Sequence, residues 1–231
     1  NLLIRRFGGV VIAIGAALGT ITVDGNTITA GAGAALSAVC NAALENSLSG
    51  MECLYGIPGS AGGALYMNAG AYGGEIKDIA KSARCIDGSG NVVEMTAEEM
   101  GLSYRHSVFS ENGFCILSVT MELIPRDKAE IRAKMDELMQ KRRDKQPLEF
   151  PSCGSTFKRP EGYFAAALIE ECGLKGCMVG GAQVSEKHSG FVINRGGATF
   201  EDVMELVGHI KSAVREQKGV ELECEMLIVD R

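Results

Sequence analysis

Residues 55–75 read YGIPGSAGGALYMNAGAYGGE, a stretch rich in glycine and almost without charge. A flexible linker would carry more Ser, Glu or Lys in place of Leu65, Tyr66 and Met67. The frequent glycines also argue against a helix that spans a membrane. The pattern instead predicts a backbone held in unusual conformations, whose amide N–H groups lie close to a phosphate or a flat ring. A tight packing site lined by glycine explains the same residues.

The glycines do not follow either of the common nucleotide-binding spacings. There is no G-x-G-x-x-G after a strand and no G-x-x-x-x-G-K-[ST] loop in the segment. A Rossmann or P-loop nucleotide site is therefore a poor explanation.

Composition predicts an ordinary globular chain. Hydrophobic residues make up 46% and charged residues 23% of the 231 residues, enough for one large domain or two small ones. The formal net charge is −6 without an acidic block, which argues against nucleic acid as the main partner but leaves anionic small molecules possible. No run of 18 apolar residues predicts a membrane span.

The eight cysteines are scattered along the chain. No C-x-x-C pair occurs, and no histidine stands at ligand spacing from a cysteine pair, so we expect no metal site. Free, partly buried thiols in a reducing cytoplasm are the simplest interpretation.

Residues 1–125 predict an α+β domain with many short strands. GVVIAIG (9–15) is an apolar strand candidate, and residues 20–32 predict a hairpin around Asp24-Gly25. Residues 34–46 are rich in Ala and Leu and predict a helix. A second hairpin over 79–96 and a closing strand over 114–125 complete the domain.

Residues 126–231 predict a smaller α/β domain. It begins with a strongly charged helix whose apolar face carries Ile131, Met135, Leu138 and Met139, a natural joint between domains. A helix stopped by Gly173 and strands in CMVGGAQVS and GFVINRGG follow. Thr199 and Asp202 then cap a helix, and VELECEMLIV is the last strand candidate.

Three separated places carry residues suited to chemistry on an anion. Arg105 lies among apolar and aromatic residues in LSYRHSVF, either as a part-buried anion clamp or as a surface side chain. PSCGSTFKRP (151–160) places Ser155 near two cations, which suits an anionic substrate or a plain surface turn. In LECE the alternation puts Glu223 and Glu225 on one face of a strand, and solvent exposure is the simpler explanation for both.

Five motifs in order make the chain resemble one family. They are GIPGSAGGALYMNAGAYGGEI, YRHSVF, GSTFKRPEGYFAAALIEECGLKG, VGGAQVSEKHSGFVIN and LECE. Their order and spacing resemble those of the UDP-N-acetylenolpyruvoylglucosamine reductases over essentially the whole chain. The resemblance implies an α+β fold. A flavin-binding domain of the FAD-linked oxidase (PCMH-like) type over 1–125 is followed by a smaller α/β substrate-binding domain over 126–231.

The resemblance implies an NADPH- and FAD-dependent oxidoreductase of peptidoglycan synthesis. NADPH reduces bound FAD, and hydride then passes to the enolpyruvyl group of UDP-N-acetylglucosamine-enolpyruvate to give UDP-N-acetylmuramate. The implied partners are this UDP-sugar and NADPH, with no nucleic acid, membrane or obligate protein partner, in the cytoplasm.

The resemblance also implies roles for individual residues. Arg105 would polarise the substrate carboxylate, Ser155 would donate the proton to the carbanion centre, and Glu225 would orient groups or share in proton handling. Substrate contacts would come from Tyr104, Lys158, Arg159, Lys187 and His188. FAD contacts would come from Asn1, Gly56, Ile57, Pro58, Gly59, Ser60, Asn68, Gly70 and Ala71.

The chain differs from the family pattern in three places. The short distance from Arg105 to Ser155 predicts the type II subfamily, without a substrate-covering Tyr loop. Arg159 stands where some members have Asn. The family's glycine-rich GSNLL-like turn is represented only by NLL at 1–3, so we expect weak flavin binding unless the preceding segment is supplied.

Two other functions fit part of the pattern. A related FAD-linked oxidase would share the glycine run but has no reason to keep YRHSVF, GSTFKRP and LECE together. The other is a UDP-sugar-binding fragment, which would keep the substrate-binding motifs of the second half but would not catalyse the reaction because its flavin site is incomplete.

Overall fold

The computed structural model describes residues 2–230. Its contacts divide the chain into two compact units: residues 12–142, and residues 143–230 together with the described start of the chain up to 11. We call these the first and the second unit. The predicted division into functional domains after residue 125 stays a prediction, since compactness does not define which part binds which ligand.

Most strands are short. In chain order they are β1 (Leu2–Arg6), β2 (Ile21–Asp24), β3 (Thr27–Gly31), β4 (Leu48–Ser49), β5 (Gly70–Ala71), β6 (Gly74–Glu75), β7 (Ala80–Ile86), β8 (Val92–Thr96), β9 (Cys115–Glu122), β10 (Ile124–Pro125), β11 (Met178–Val179), β12 (Ala182–Val184), β13 (Val192–Asn194) and β14 (Leu227–Asp230).

The helices alternate with these strands. They are α1 (Leu36–Glu45), α2 (Ala61–Tyr66), α3 (Phe109–Asn112), α4 (Lys128–Lys145), α5 (Ala165–Glu171) and α6 (Phe200–Lys218). Short 3₁₀ turns lie at Ala16–Leu18, Glu52–Leu54 and Ile76–Asp78. None of the helices in residues 2–230 is long and apolar enough to cross a membrane.

A five-stranded antiparallel sheet forms the frame of the first unit. Its strand order is β2-β3-β9-β7-β8, so the two predicted hairpins are confirmed and β9 lies between them. Along β3, Ile28 and Ala30 are buried and alternate with half-buried threonines, and they pair with Met121 and Val119 of β9. Because of this alternation, the side chains on one face of the sheet point into the core.

Helices cover that face. α1 buries Leu36, Val39 and Leu44, and α4 adds Ile131 and Met135 to the same core. The predicted apolar face of the charged helix is confirmed at Ile131, Met135 and Leu138, while Met139 is half-buried.

The second unit has a separate core. It consists of the three-stranded sheet β11-β12-β13, the parallel pair β1–β14, and the helices α5 and α6. Leu206, Val207 and Ile210 of α6 are buried in this core. The capping box predicted at the start of α6 is present, since Asp202 N donates to Thr199 Oγ1 (3.1 Å) and Thr199 N donates to Asp202 Oδ2 (2.9 Å).

The sequence predictions were wrong for one apolar run. Residues 9–15 form no strand, and Val10, Val11 and Ile12 expose 85%, 75% and 81% of their surface. A strand needs a neighbour for its backbone N–H and C=O groups, and no strand in residues 2–230 pairs with this run.

The last predicted strand is shorter than expected. Only Leu227–Asp230 pairs as a strand, and Cys224 makes an isolated bridge with Phe157. Glu223 and Glu225 thus lie before the strand, and the expected solvent exposure is confirmed for Glu223 but wrong for Glu225. The Glu223 side chain is 73% exposed, whereas Glu225 is buried at 9%.

All eight cysteines are free thiols, as predicted. Burial raises the pKa of Cys40 to about 12 and that of Cys53 to about 11, so neither thiol ionises near neutral pH. No group of three His, Cys, Asp or Glu side chains in the described part of the chain is arranged to hold a metal ion.

We expect Thr199→Ala to lower the free energy of unfolding by about 1 kcal/mol, because it removes the hydroxyl that caps α6. Urea denaturation measures this difference. Ser212→Ala is the matched control, since Ser212 is an exposed residue inside the same helix and alanine has the higher helix propensity. Equal losses in both variants would contradict a specific role of the cap.

Candidate active site

The glycine-rich segment packs its central helix directly on the sheet of the first unit. Gly62 N donates to Ala32 O (2.9 Å), and a Cβ on Gly62 would lie 2.7 Å from the Ala32 Cβ. Ala61 N donates to Ala34 O, and Ser60 caps α2 by accepting from Gly63 N. The tight-packing explanation therefore holds for Gly62.

Gly59 has the opposite surroundings. Its φ is +142°, and no atom lies within 4 Å of the position a Cβ would take. Gly59 and the preceding Pro58 are exposed, and Ile57 packs partly on the core. No acceptor in residues 2–230 meets the amide N–H of Gly59 or of Ser60. A glycine with open space beside it, together with backbone N–H groups that lack acceptors, is suited to contact with an anionic or flat ligand.

Arg142 is a residue that the sequence analysis missed. Its side chain lies against Gly56, where a Cβ would be 2.9 Å from Arg142 Cδ. The Nε and Nη1 atoms are buried, with no hydrogen-bond acceptor among the described residues. Burial lowers the pKa of Arg142. Buried N–H groups without acceptors are costly, so these two nitrogens fit a ligand that carries negative charge or carbonyl oxygens.

Asn68 connects the glycine-rich segment to the turn that carries Arg105. It is fully buried with a φ of +42°. Its Nδ2 donates to Ser103 O (2.8 Å) and to Glu75 Oε2 (3.0 Å), and its Oδ1 accepts from Lys77 N (2.9 Å). Its backbone N–H donates to Leu65 O (3.0 Å), so both the side-chain amide and the backbone N–H are used within the protein.

Arg105 lies at the tip of a tight turn closed by reciprocal hydrogen bonds between Ser103 and His106 (3.1 Å each). Its φ is +53°, a conformation that is rare for a residue with a side chain. Its Nη2 donates to Gly70 O (3.1 Å), and the guanidinium lies 5.0 Å from the centre of the Tyr104 ring. The half-buried Arg105 is thus oriented by the glycine-rich segment.

In the second unit, the residues that follow Ser155 pair with the residues around Glu225. Glu225 N donates to Thr156 O (2.9 Å), Lys158 N donates to Glu223 O (2.8 Å), and Phe157 bridges Cys224. Thr156 also ties this segment to β13, since Val192 N donates to its hydroxyl (3.0 Å). Two predicted residues 70 positions apart in the chain thus lie on paired segments.

The Ser155 hydroxyl is half-buried and donates to Phe157 O (3.1 Å). Gly154, with a φ of +71°, turns the chain just before it. Ser155 is therefore held by its own turn, beside the segment that buries Glu225.

Lys158 and Arg159 follow on the same segment. Lys158 Nζ pairs with Glu223 Oε1, so part of its charge is neutralised within the second unit. Arg159 Nε donates to Tyr163 O (3.3 Å), and its guanidinium lies 4.0 Å from the centre of the exposed Phe164 ring.

Lys187 and His188 lie on a turn organised by the buried Ser185 hydroxyl, which accepts from the backbone N–H of both residues. The Lys187 ammonium is 3.8 Å from Glu149 Oε2. Burial lowers the pKa of His188, whose Nδ1 accepts from Gly190 N (3.1 Å). The neutral ring can offer a hydrogen bond but little positive charge to a diphosphate.

Asn1, a predicted cofactor contact, lies outside the described residues. The other predicted site residues fall into one group per unit. Gly56 to Ala71, Tyr104 and Arg105 belong to the first unit, and Ser155 to His188 and Glu225 belong to the second.

Comparison with known families identifies the chain as a flavoprotein with a distinct carboxyl-terminal domain. Residues 2–96 match the model of an FAD binding domain, and residues 146–229 match the UDP-N-acetylenolpyruvoylglucosamine reductase C-terminal domain. The chain belongs to the UDP-N-acetylenolpyruvoylglucosamine reductase family.

Named relatives agree along the whole chain. The chain is 52% identical to the UDP-N-acetylenolpyruvoylglucosamine reductase of Clostridium perfringens, over 100% of this chain and 76% of that protein. It is 49% identical to that of Clostridium novyi, over 99% of this chain and 75% of that protein. The solved reductase of Thermus caldophilus matches with a TM-score of 0.78 and 36% identity, over 87% of this chain and 72% of that one.

We expect Gly62→Ala to destabilise the protein by about 1–3 kcal/mol, because the new methyl group would meet the Ala32 backbone and side chain. Thermal unfolding of the ligand-free chain measures the effect. Gly63→Ala is the matched control on the next residue of α2, since its Cβ would meet only Ser60 Oγ at 3.4 Å. A Gly62→Ala variant as stable as Gly63→Ala would contradict the packing role.

Replacement of Arg142 by Met should change ligand-free stability and FAD binding in opposite directions. The free energy of unfolding should rise by about 1 kcal/mol, because the variant lacks the two buried nitrogens that have no acceptors. The affinity for FAD, measured by quenching of flavin fluorescence, should fall by about tenfold. Arg143→Met at the exposed neighbour is the control. Unchanged FAD affinity in Arg142→Met would exclude Arg142 from the flavin site.

Proposed function

We propose that this chain reduces UDP-N-acetylglucosamine-enolpyruvate to UDP-N-acetylmuramate with NADPH and FAD, a step of peptidoglycan precursor synthesis that serves cell-wall formation and division. The observation that carries the proposal is the pairing of residues 156–158 with 223–225, which joins the segment that follows Ser155 to the segment of the buried Glu225. Whole-length identity to relatives that bear this enzyme's name supports it.

The residues of the first unit fit FAD. The segment from Gly56 to Ser60, with its open Gly59, and the Nε and Nη1 groups of Arg142 would hold it. Gly70 and Ala71 complete the wall of the site in this proposal, and Asn68 supports that wall from the core. When bound, FAD supplies two-electron chemistry, because it can accept a hydride from NADPH and release it to an unsaturated substrate.

Arg105 binds the substrate carboxylate in this proposal. Addition of hydride to the enolpyruvyl double bond leaves negative charge on the carbon next to that carboxylate. A guanidinium that is already oriented stabilises this charge more in the transition state than in the ground state. The contact from Arg105 to Gly70 O supports such orientation, and Tyr104 covers the same guanidinium.

Ser155 supplies the proton that completes the product. A serine hydroxyl is a weak acid, so it needs close positioning and help from its neighbours. Glu225 orients groups or shares in proton handling in this proposal, because it is buried on residues 223–225, which pair with the residues that follow Ser155. The half-buried hydroxyl stays within reach of a reacting group.

Lys158, Arg159, Lys187 and His188 bind the diphosphate and sugar of the substrate in this proposal. Three of the four carry positive charge, and His188 offers a neutral ring. We also propose that the chain is a type II member, and the short stretch from Arg105 to Ser155, with α3, β9, β10 and α4 as its regular elements, supports this. We place the reaction in the cytoplasm, where NADPH and nucleotide sugars are available.

Replacement of Ser155 by Ala should leave reduction of the flavin by NADPH intact and abolish formation of UDP-N-acetylmuramate. The serine proton is needed only after hydride has left the flavin, so the two half-reactions respond differently. Stopped-flow absorbance of the flavin follows the first half-reaction, and product chromatography follows the second.

The control is Ser212→Ala, which removes a hydroxyl from the exposed face of α6 in the same unit. Turnover that survives in Ser155→Ala would overturn the proton-donor role. UDP-sugar binding without NADPH oxidation in the unaltered chain would favour the inactive binding fragment, and oxidase activity without any use of the UDP-sugar would favour a related FAD-linked oxidase.

A further inference from the structure

We propose that Asn68 and Glu75 are positioning residues, which fix the turn of Arg105 to the glycine-rich segment so that the carboxylate-binding guanidinium and the flavin-binding backbone form one rigid part. The inference rests on the proposed function for the role of Arg105. It assigns to Asn68 a task other than direct contact with the cofactor through its side chain.

The first support is the saturation of the Asn68 amide. Both side-chain N–H groups and the carbonyl oxygen have partners within the first unit, on Ser103, Glu75 and Lys77. The residue is 0% exposed, so no water replaces a partner that is lost. A buried amide in this state specifies the relative placement of the three segments that it joins.

The second support is the place of each partner. Ser103, whose carbonyl oxygen accepts from Asn68, is the first residue of the turn that has Arg105 at its tip. Ser103 and His106 close that turn by reciprocal hydrogen bonds. Glu75 belongs to β6, which pairs with β5, and β5 contains the Gly70 whose carbonyl accepts from Arg105 Nη2. Asn68 therefore holds the arginine backbone, while Gly70 receives the arginine side chain.

The third support is the charge of Glu75. Its Oε2 accepts from Asn68 Nδ2 and lies 2.9 Å from Lys77 Nζ, and its side chain is only 21% exposed. The Lys77 ammonium, the Asn68 amide and the nearby Arg105 guanidinium all lower the pKa of Glu75. Glu75 is thus an anion at neutral pH and is attracted to the nearby positive charge of Arg105. Asn68 bonds to Glu75 and to the turn that carries Arg105.

The fourth support is backbone strain. Asn68, Tyr72 and Arg105 all have positive φ, at 42°, 54° and 53°. Side chains rarely adopt this conformation, and it persists only where the surroundings impose it. Three such residues in two connected segments indicate that the segments hold each other in place.

The test begins with hydrogen exchange on the full ligand-free chain. Asn68→Asp keeps the size and the acceptor but removes both donors, so the amides of Ser103 and His106 should exchange about tenfold faster, while amides in α1 and β7 keep their protection. Asn46→Asp is the matched control, because Asn46 donates to Ala42 O from the exposed end of α1. Unchanged exchange in the 103–106 turn of Asn68→Asp would overturn the inference.

Kinetics on the FAD-loaded chain give a second readout. Asn68→Asp and Glu75→Gln should slow reoxidation of the flavin by UDP-N-acetylglucosamine-enolpyruvate about tenfold more than they slow its reduction by NADPH. In an Arg105→Ala background the same changes should add less than about twofold, because they act through Arg105. Full additivity with Arg105→Ala would overturn the positioning role.

If Asn68→Asp does not fold, hydrogen exchange and flavin reoxidation are measured on Glu75→Gln instead. This variant keeps an acceptor for Asn68 but removes the negative charge. Arg105→Ala alone separates the inference from the proposed function. If that variant reoxidises its flavin normally, the proposed role of Arg105 fails, while the exchange experiment still decides whether Asn68 fixes the turn.

Discussion

The close approach of α2 to the backbone that follows β3 is the constraint on which the first unit depends. Gly62 meets Ala32 at a distance that leaves no room for a side chain, and its amide is bonded to the Ala32 carbonyl. This contact places the beginning of α2, and therefore Gly59 and Ser60, at the surface of a rigid sheet. A ligand that reaches those amides meets groups that are already in position, which lowers the entropy lost on binding.

In the proposed function, the second unit has a different task, which is to supply a proton from a hydroxyl. The segment of Ser155 lies between β13 and residues 223–225, with backbone bonds to both. Such pairing holds the segment that follows Ser155 against that of Glu225 more firmly than a surface loop would. The same segment continues into Lys158 and Arg159, so the proposed proton donor and the proposed anion contacts share one support.

Several local features follow from the sequence because they depend on neighbouring residues only. The hairpin at Asp24-Gly25 and the cap at Thr199–Asp202 are decided by turn chemistry and by a hydroxyl three residues from its partner. The run at 10–15 shows the limit of such reasoning. Apolar β-branched residues favour a strand, but a strand also needs a partner edge, and local sequence does not say whether one is present.

By itself, the sequence determined the family, the order of most helices and hairpins, and the residue types of the site, because motifs and short-range patterns are properties of the chain. The tertiary structure alone decided that Asn68 is a buried connector, that Arg142 carries N–H groups without acceptors, and that Glu225 is buried while Glu223 is exposed. The reason is physical. Burial and hydrogen-bond satisfaction depend on atoms from distant parts of the chain, and those atoms meet only after folding.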